Sequence, residues 1–202
     1  MLRGRYYGKD GLGVSVGWAC FSTRRGPMAF CQLIGLVPFT SINMTFDEHL
    51  QRVGLELPTP STPGANYIQF VRSGELLFLT GQLCQWNGER RHIGKLGREL
   101  GIAAGQDAAR LCALNLLAHL RVAVENDFDR VTRCLRVTGY VNATDDFTQH
   151  SQVINGASDV FVQAFGDAGR HTRVAIGTNG LPYGVAVEVE AVFELRPVVA
   201  PT

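Results

Sequence analysis

Arg173 and Glu188 are the two side chains whose types and spacing could do chemistry together. Both lie in the stretch from His171 to Leu195, HTRVAIGTNGLPYGVAVEVEAVFEL. A planar guanidinium grips a carboxylate through two parallel charge-assisted bonds. A glutamate beside it can hold or move a proton. Meeting on adjacent strands, the pair would bind a small organic acid and manage a proton next to it. The competing reading is an exposed ion pair on a solvated face, an arrangement of little energetic weight. His171 shares a strand face with Arg173, because strand side chains repeat every second residue. It would add a group that titrates near neutral pH. Its simpler reading is a histidine at a helix end or strand edge.

The elements that must position these residues are legible from periodicity. Val185, Val187, Val189, Ala191 and Phe193 alternate with Ala186, Glu188, Glu190, Val192 and Glu194. This is a strand with one core face and one acidic face. Asn179-Gly180 and Leu181-Pro182 form the turn before it. Upstream, Thr45 to Glu48 has the spacing of a capping box and opens a short helix. Pro58, Pro60 and Pro63 force an extended lead-in. Tyr67–Arg72 and Leu76–Leu83 read as a hairpin about Ser73-Gly74, and Asn87-Gly88 marks a further turn. Residues 90–101 read as a loop with solvated basic side chains. From Ala103 the period lengthens to three or four, which predicts an amphipathic helix to about Asn126. His119 within it reads as a packed or surface histidine. Val131–Val141 is a strand. Asp145 or Asp146 caps a second helix, Phe147–Phe165, which Gly166 and Gly169 end. Gly156 in its middle costs about 1 kcal/mol relative to alanine and weighs against one unbroken helix.

The order strand, strand, helix, strand, helix, strand, strand makes an α+β sandwich. Two long helices cover one face of such a sheet. The uncovered face keeps apolar residues among its polar ones, which predicts an oligomer.

Bulk composition narrows the classes. A chain of 202 residues with 46% hydrophobic residues supports one domain with a sizeable core. The formal net charge of +1 gives no broad attraction to nucleic acid or membranes. No segment approaches the roughly 20 apolar residues that span a bilayer. Cys20, Cys31, Cys84, Cys112 and Cys134 are odd in number and lack a CxxC, so no disulfide framework or zinc site is expected. They suit a reducing, cytoplasmic setting. No metal-ligand cluster or cofactor motif stands out, and neither is expected. Residues 1–43 hold Arg3, Arg5, Lys9, Arg24 and Arg25 against Asp10 alone and show no sustained period. A targeting peptide fits this segment loosely. Translation starting at Met44 fits better, because folded-domain grammar begins there. An N-terminus found upstream of Met44 by intact mass would overturn that expectation. The expected boundaries are an extension over 1–43, a domain over 44–196 and a tail over 197–202.

In order and spacing, Tyr67, Thr80-Gly81-Gln82, Asn115-Leu116, Asp146-Phe147, Arg173, Leu181-Pro182 and Val187-Glu188-Val189-Glu190-Ala191 resemble the YjgF/RidA family. The family is also called endoribonuclease L-PSP or chorismate mutase-like. The resemblance covers residues 45–195 and points to a divergent branch, on His150, Gly156-Ala157-Ser158 and residues 165–171. It implies a mixed sheet with two helices on one face, trimerising through the other, with three clefts between subunits. It also implies hydrolytic deamination of reactive enamines and imines such as 2-aminoacrylate. Carried over by position, Arg173 would bind the substrate carboxylate and Glu188 would position or activate water. Tyr67 would line the cleft, and Gly81 would let backbone approach the ligand. Ser151 stands where the family's cleft asparagine lies. Ala175 stands where the deaminases often have cysteine, and His171-Thr172 replaces a Pro-Ala. These departures imply carboxylate recognition retained with an altered substrate. A non-catalytic carboxylate-binding trimer is the alternative. Endoribonuclease activity ranks third, because no basic patch with interleaved aromatics and no placed histidine pair supports it.

Overall fold

The computed structural model describes residues 44–197. The expectations for residues 1–43 and 198–202 lie outside them. The first element, α1 (Phe46–Arg52), is opened by the capping box read from the sequence. Thr45 Oγ1 accepts from the Glu48 amide at 3.2 Å, and the Glu48 carboxylate accepts from the Thr45 amide at 3.0 Å. Two donors that an unfinished helix end would waste are thereby used. Phe46 and Leu50 face the core from this short helix.

A five-stranded sheet follows, built from β1 (Phe70–Ser73), β2 (Leu76–Leu83), β5 (Val131–Asn142), β6 (Thr172–Thr178) and β7 (Val187–Leu195). Its order is β1-β2-β7-β5-β6. All pairings are antiparallel except β5 with β6, so the sheet is mixed. The parallel pair needs a crossover, and α3 (His150–Phe165) supplies it. Between β2 and α2 (Ile102–Ala123), a small hairpin joins β3 (Gln85–Trp86) to β4 (Glu89–Arg90). Its turn is Asn87-Gly88, with φ of 50° and 85°. Positive φ at both central residues is the tight hairpin turn that Asn-Gly favours.

Both long helices pack on one face, against Leu77, Leu79, Val137, Val141, Val189 and Phe193, each at most 5% exposed. The α+β sandwich read from the order of elements is the architecture found. Gly156 does not break α3. A β-carbon there would strike the Gln106 backbone of α2, so the glycine is where the two helices touch main chain to main chain. Gly105 plays the same part from α2, where a β-carbon would press on Leu96 and Val153. The helix penalty of a glycine is offset by packing that no side chain would permit.

Two boundaries differ from expectation. β1 begins at Phe70, not Tyr67. α3 begins at His150, with Gln149 and not Asp145 or Asp146 at its cap. Phe147 belongs to the lead-in, where its amide donates to the Thr144 carbonyl at 3.1 Å and its ring is buried. Burial of that ring outweighs the capping propensity of the two aspartates. The 90–101 segment is also less solvated than expected. Lys95 Nζ donates to the Asn179 carbonyl at 2.7 Å, tying it to the loop before β7.

Among the described residues, no helix lies over the second face of the sheet. It carries Val71, Leu76, Phe78, Val174 and Ile176, all exposed, together with Arg136, Tyr140, Glu188, Glu190 and Glu194.

Candidate functional site: two half-sites on opposite faces

Arg173 and Glu188 are not on adjacent strands. β5 lies between β6 and β7. The register also sets their faces. Arg173 stands opposite Val137, which stands opposite buried Ala191 on the helix-covered face. Glu188 stands opposite Tyr140, which stands opposite exposed Ile176 on the open face. Within one chain the two side chains therefore leave the sheet in opposite directions. The sequence expectation of a pair on neighbouring strands is corrected in this respect.

The arginine half is built on the edge strand β6 and the helix α3. Arg173 Nη1 donates to Asn155 Oδ1 at 2.9 Å and to Ser158 Oγ at 3.0 Å. Its Nη2 donates to Ser151 Oγ at 3.2 Å and to the Ser151 carbonyl at 3.3 Å. Ser151, Asn155 and Ser158 sit at i, i+4 and i+7, one stripe of an otherwise amphipathic helix. Every partner is neutral. No carboxylate lies within ion-pair reach of Arg173 among the described residues. The guanidinium is thus oriented without being neutralised, which is what an anion anchor requires. Ala175 follows on the same face of β6, two residues on.

His171 belongs to this half through Ser158. Its Nδ1 is 2.7 Å from the Gly169 carbonyl, so that nitrogen donates. Its Nε2 then accepts from Ser158 Oγ at 3.1 Å. The chain of donors runs from Arg173 to Ser158 to His171. Burial, the largest influence, holds the imidazole pKa below its usual value, and the Arg173 charge adds to this. A neutral histidine that accepts from Ser158 fixes the serine whose oxygen receives Arg173. His171 positions the arginine and does not reach past it.

The other half lies where the lead-in over residues 59–69, the end of β2 and the β3–β4 hairpin meet. A groove of about 500 Å³ opens there, lined by Tyr67, Gly81, Gln82, Arg90 and Tyr183 among others. Gly81 is required by its neighbour: a β-carbon would fall on the Glu188 carboxylate. The structure thus brings Tyr67, Gly81 and Glu188 to one region, and Arg173, Ser151 and Ala175 to another. Burial first, then the Glu190 charge, raises the Glu188 pKa above the ordinary carboxylate range. Tyr140 beside it is also raised, by burial and then by Glu190 and Glu188. No cation pairs with Glu188 among the described residues.

A partly buried polar network forms one wall of the groove. Gln82 Nε2 donates to Gln69 Oε1 at 2.8 Å and to the Thr80 carbonyl at 3.1 Å, which turns its Oε1 toward Ser61. Ser61 Oγ donates to that oxygen at 3.2 Å. The hydroxyl proton is then spent, so His119 Nε2, also 3.2 Å away, donates to Ser61. This proton order makes the Ser61–His119 contact a brace and not a nucleophile with its base. His119 is 3% exposed, and burial lowers its pKa. The packed reading of His119 holds. Asn115 is a brace as well, its Nδ2 donating to the Gln85 carbonyl at 2.7 Å and the Leu111 carbonyl at 2.8 Å.

Asn155 and Ser158 were missed as arginine partners in the sequence. The available signal was a polar stripe at helical spacing on a helix whose other faces are apolar.

Comparison with known proteins agrees with the fold. The sequence model of the family described as "YjgF/chorismate mutase-like, putative endoribonuclease" matches residues 47–194. The protein TCP17 of Trypanosoma cruzi is 43% identical over 149 residues, covering 73% of this chain and 92% of that one. The crystal structure of Atu1372 from Agrobacterium tumefaciens, a protein of unknown function, is 36% identical with a TM-score of 0.69, covering 75% of this chain and 92% of its own. A structure from Shewanella oneidensis, titled a "putative endoribonuclease", is 30% identical with a TM-score of 0.71, covering 75% of this chain and 99% of its own. The chain belongs to the YjgF/chorismate mutase-like family.

Proposed function

We propose that the protein hydrolyses reactive 2-imino and enamine acids such as 2-aminoacrylate, at sites completed between copies of the chain in a homotrimer. The observation that carries this reading is the Arg173 guanidinium, oriented by three neutral side chains and matched by no carboxylate among the described residues. Its counterpart is Glu188, desolvated and without a cation on the opposite face. One half lies on the β6 edge and the other toward the β1–β2 edge. A contact that joins different edges of identical chains is heterologous, and such contacts form a ring where the rotation between copies closes. The exposed aliphatic residues of the open face give that contact apolar area. The segment over 44–196 holds every residue invoked.

In the proposed reaction Arg173 of one copy holds the substrate carboxylate. Glu188 of the next takes a proton from water as the water oxygen bonds to the imine carbon, and passes that proton to the nitrogen. The resulting carbinolamine collapses. Glu188 takes the carbinolamine hydroxyl proton as the C=O bond forms and the C–N bond breaks, delivers it to the departing nitrogen, and a 2-keto acid and ammonia leave. A raised carboxyl pKa suits a group that both takes and gives a proton near neutral pH.

The test generates 2-aminoacrylate with a pyridoxal-phosphate lyase and follows keto-acid formation. Acceleration by the protein, lost in Arg173→Ala, is expected. No acceleration, together with thermal stabilisation by 2-oxobutanoate that needs Arg173, would replace this reading with a carboxylate-binding trimer.

A further inference from the structure

Arg90 is the only charged side chain among those lining the groove. It ends β4, and its guanidinium lies 3.5 Å from the centre of the Tyr183 ring. Stacking uses the flat face of a guanidinium and leaves its in-plane N–H donors free. The hairpin offers one acid, Glu89, and that acid pairs with Arg91 at 3.5 Å. No ion pair among the described residues involves Arg90. The platform beneath it is itself unusual. Tyr183 has φ of 58° within the Pro182–Gly184 turn, a left-handed conformation that bulky residues rarely adopt. Backbone held in such a region and aimed at a groove is a mark of a binding element. The remaining groove side chains are neutral, among them Ser61, Gln69, Gln82 and Asn87.

We infer that the groove receives the far end of a substrate with a second anionic group, a 2-imino or 2-keto dicarboxylate. This rests on the proposed function, in which Arg173 of a neighbouring copy takes the carboxylate beside the reacting carbon. Arg90 is then a second cation, on the other chain, and a monocarboxylate leaves it unused. The groove is also roomier than a three-carbon acid needs. Arg90 acts as a specificity residue, and Tyr183 is the support that keeps its donors turned to the ligand.

Calorimetry on the assembled protein at physiological salt tests this without turnover, with 2-oxobutanoate and 2-oxoglutarate as probes. The wild-type protein is expected to bind 2-oxoglutarate about tenfold or more tightly than 2-oxobutanoate, the worth of one charge-assisted contact. Arg90→Gln removes that preference by weakening 2-oxoglutarate selectively, and Tyr183→Leu reduces it. Equal wild-type affinities would overturn the inference. So would a preference that survives Arg90→Gln, or an equal loss for both acids, which would make Arg90 a general attractor of anions. Arg173→Ala reports on the underlying reading. Weakening of both acids supports the shared site. Unchanged affinities alongside an Arg90-dependent preference would sink the shared site and leave the dicarboxylate groove standing.

Discussion

The two half-sites use opposite ways of holding a charge. At the arginine half, Asn155, Ser151 and Ser158 surround the cation with dipoles that aim it. At the glutamate half the carboxylate is pressed over Gly81 and next to Glu190, and its charged form is disfavoured. The first half is organised and ready, while the second is under electrostatic load. Each leaves unanswered a charge that the other would answer. Such complementarity across different edges of one chain suits assembly better than it suits a monomer.

The largest expected effect tests the loaded half. Glu188→Gln should reduce kcat for imine hydrolysis by about 10²–10⁴-fold, the usual worth of a general acid–base. The same variant should be more stable than wild type at neutral pH. The reason is the sign of the shift. With the folded pKa raised, the native state keeps a proton that the unfolded chain has released, so stability falls as pH rises from the ordinary carboxylate range through the folded pKa. Glutamine removes that fall. Melting curves across pH in both proteins check it, and a parallel pH dependence would remove the claim of electrostatic load.

Arg173→Ala should cost about 100-fold in kcat/KM, the upper end for hydrogen bonds to a charged group. Mixing refolded Arg173→Ala and Glu188→Gln chains should restore activity to about one quarter of wild type, since one seam in four then pairs two intact halves. If the mixture stays dead although the chains co-assemble, the halves do not meet across a seam.

Gly156→Ala probes the scaffold beneath the arginine half. It should destabilise the fold by about 1–3 kcal/mol through overpacking against the Gln106 backbone, read by denaturant titration. The smallest effect concerns the braces. His119 and His171 both have pKa values lowered first by burial. Their contribution is present above the ordinary histidine range and fades as pH falls through it, because the unfolded chain then takes up protons the native state refuses. His171→Gln should flatten the acid limb of the stability profile by about 1 kcal/mol or less and raise KM modestly through Ser158. A shift in the pH optimum of kcat itself would make His171 a proton carrier instead.

Much of this arrangement was legible in the sequence. Alternation in residues 185–194 assigned each β7 side chain to its face, and the capping box placed α1. Residue type and spacing point to Arg173 and Glu188, and the family resemblance points to Tyr67 and Gly81. Strand order was not legible, because period-two alternation says which way a side chain points and not which strand lies beside it. The insertion of β5 between β6 and β7 therefore could not be seen. Gly156 was misread because its value lies in the Gln106 backbone, fifty residues away in the chain. Phe147 drew the helix start too early for a similar reason, since the burial of its ring was decided by the fold.

In the proposed assembly, the sheet face left without a helix by the described residues would tie abundance to activity. Val71, Phe78, Val174 and Ile176 are solvent-facing in a lone chain, and such a surface invites capture by chaperones and proteases. If the chain assembles as proposed, a substitution there that loosens assembly would empty the shared clefts and mark the orphaned protomer for disposal at the same time. Alleles of that kind would present as losses of protein in the cell, though every residue of both half-sites was untouched.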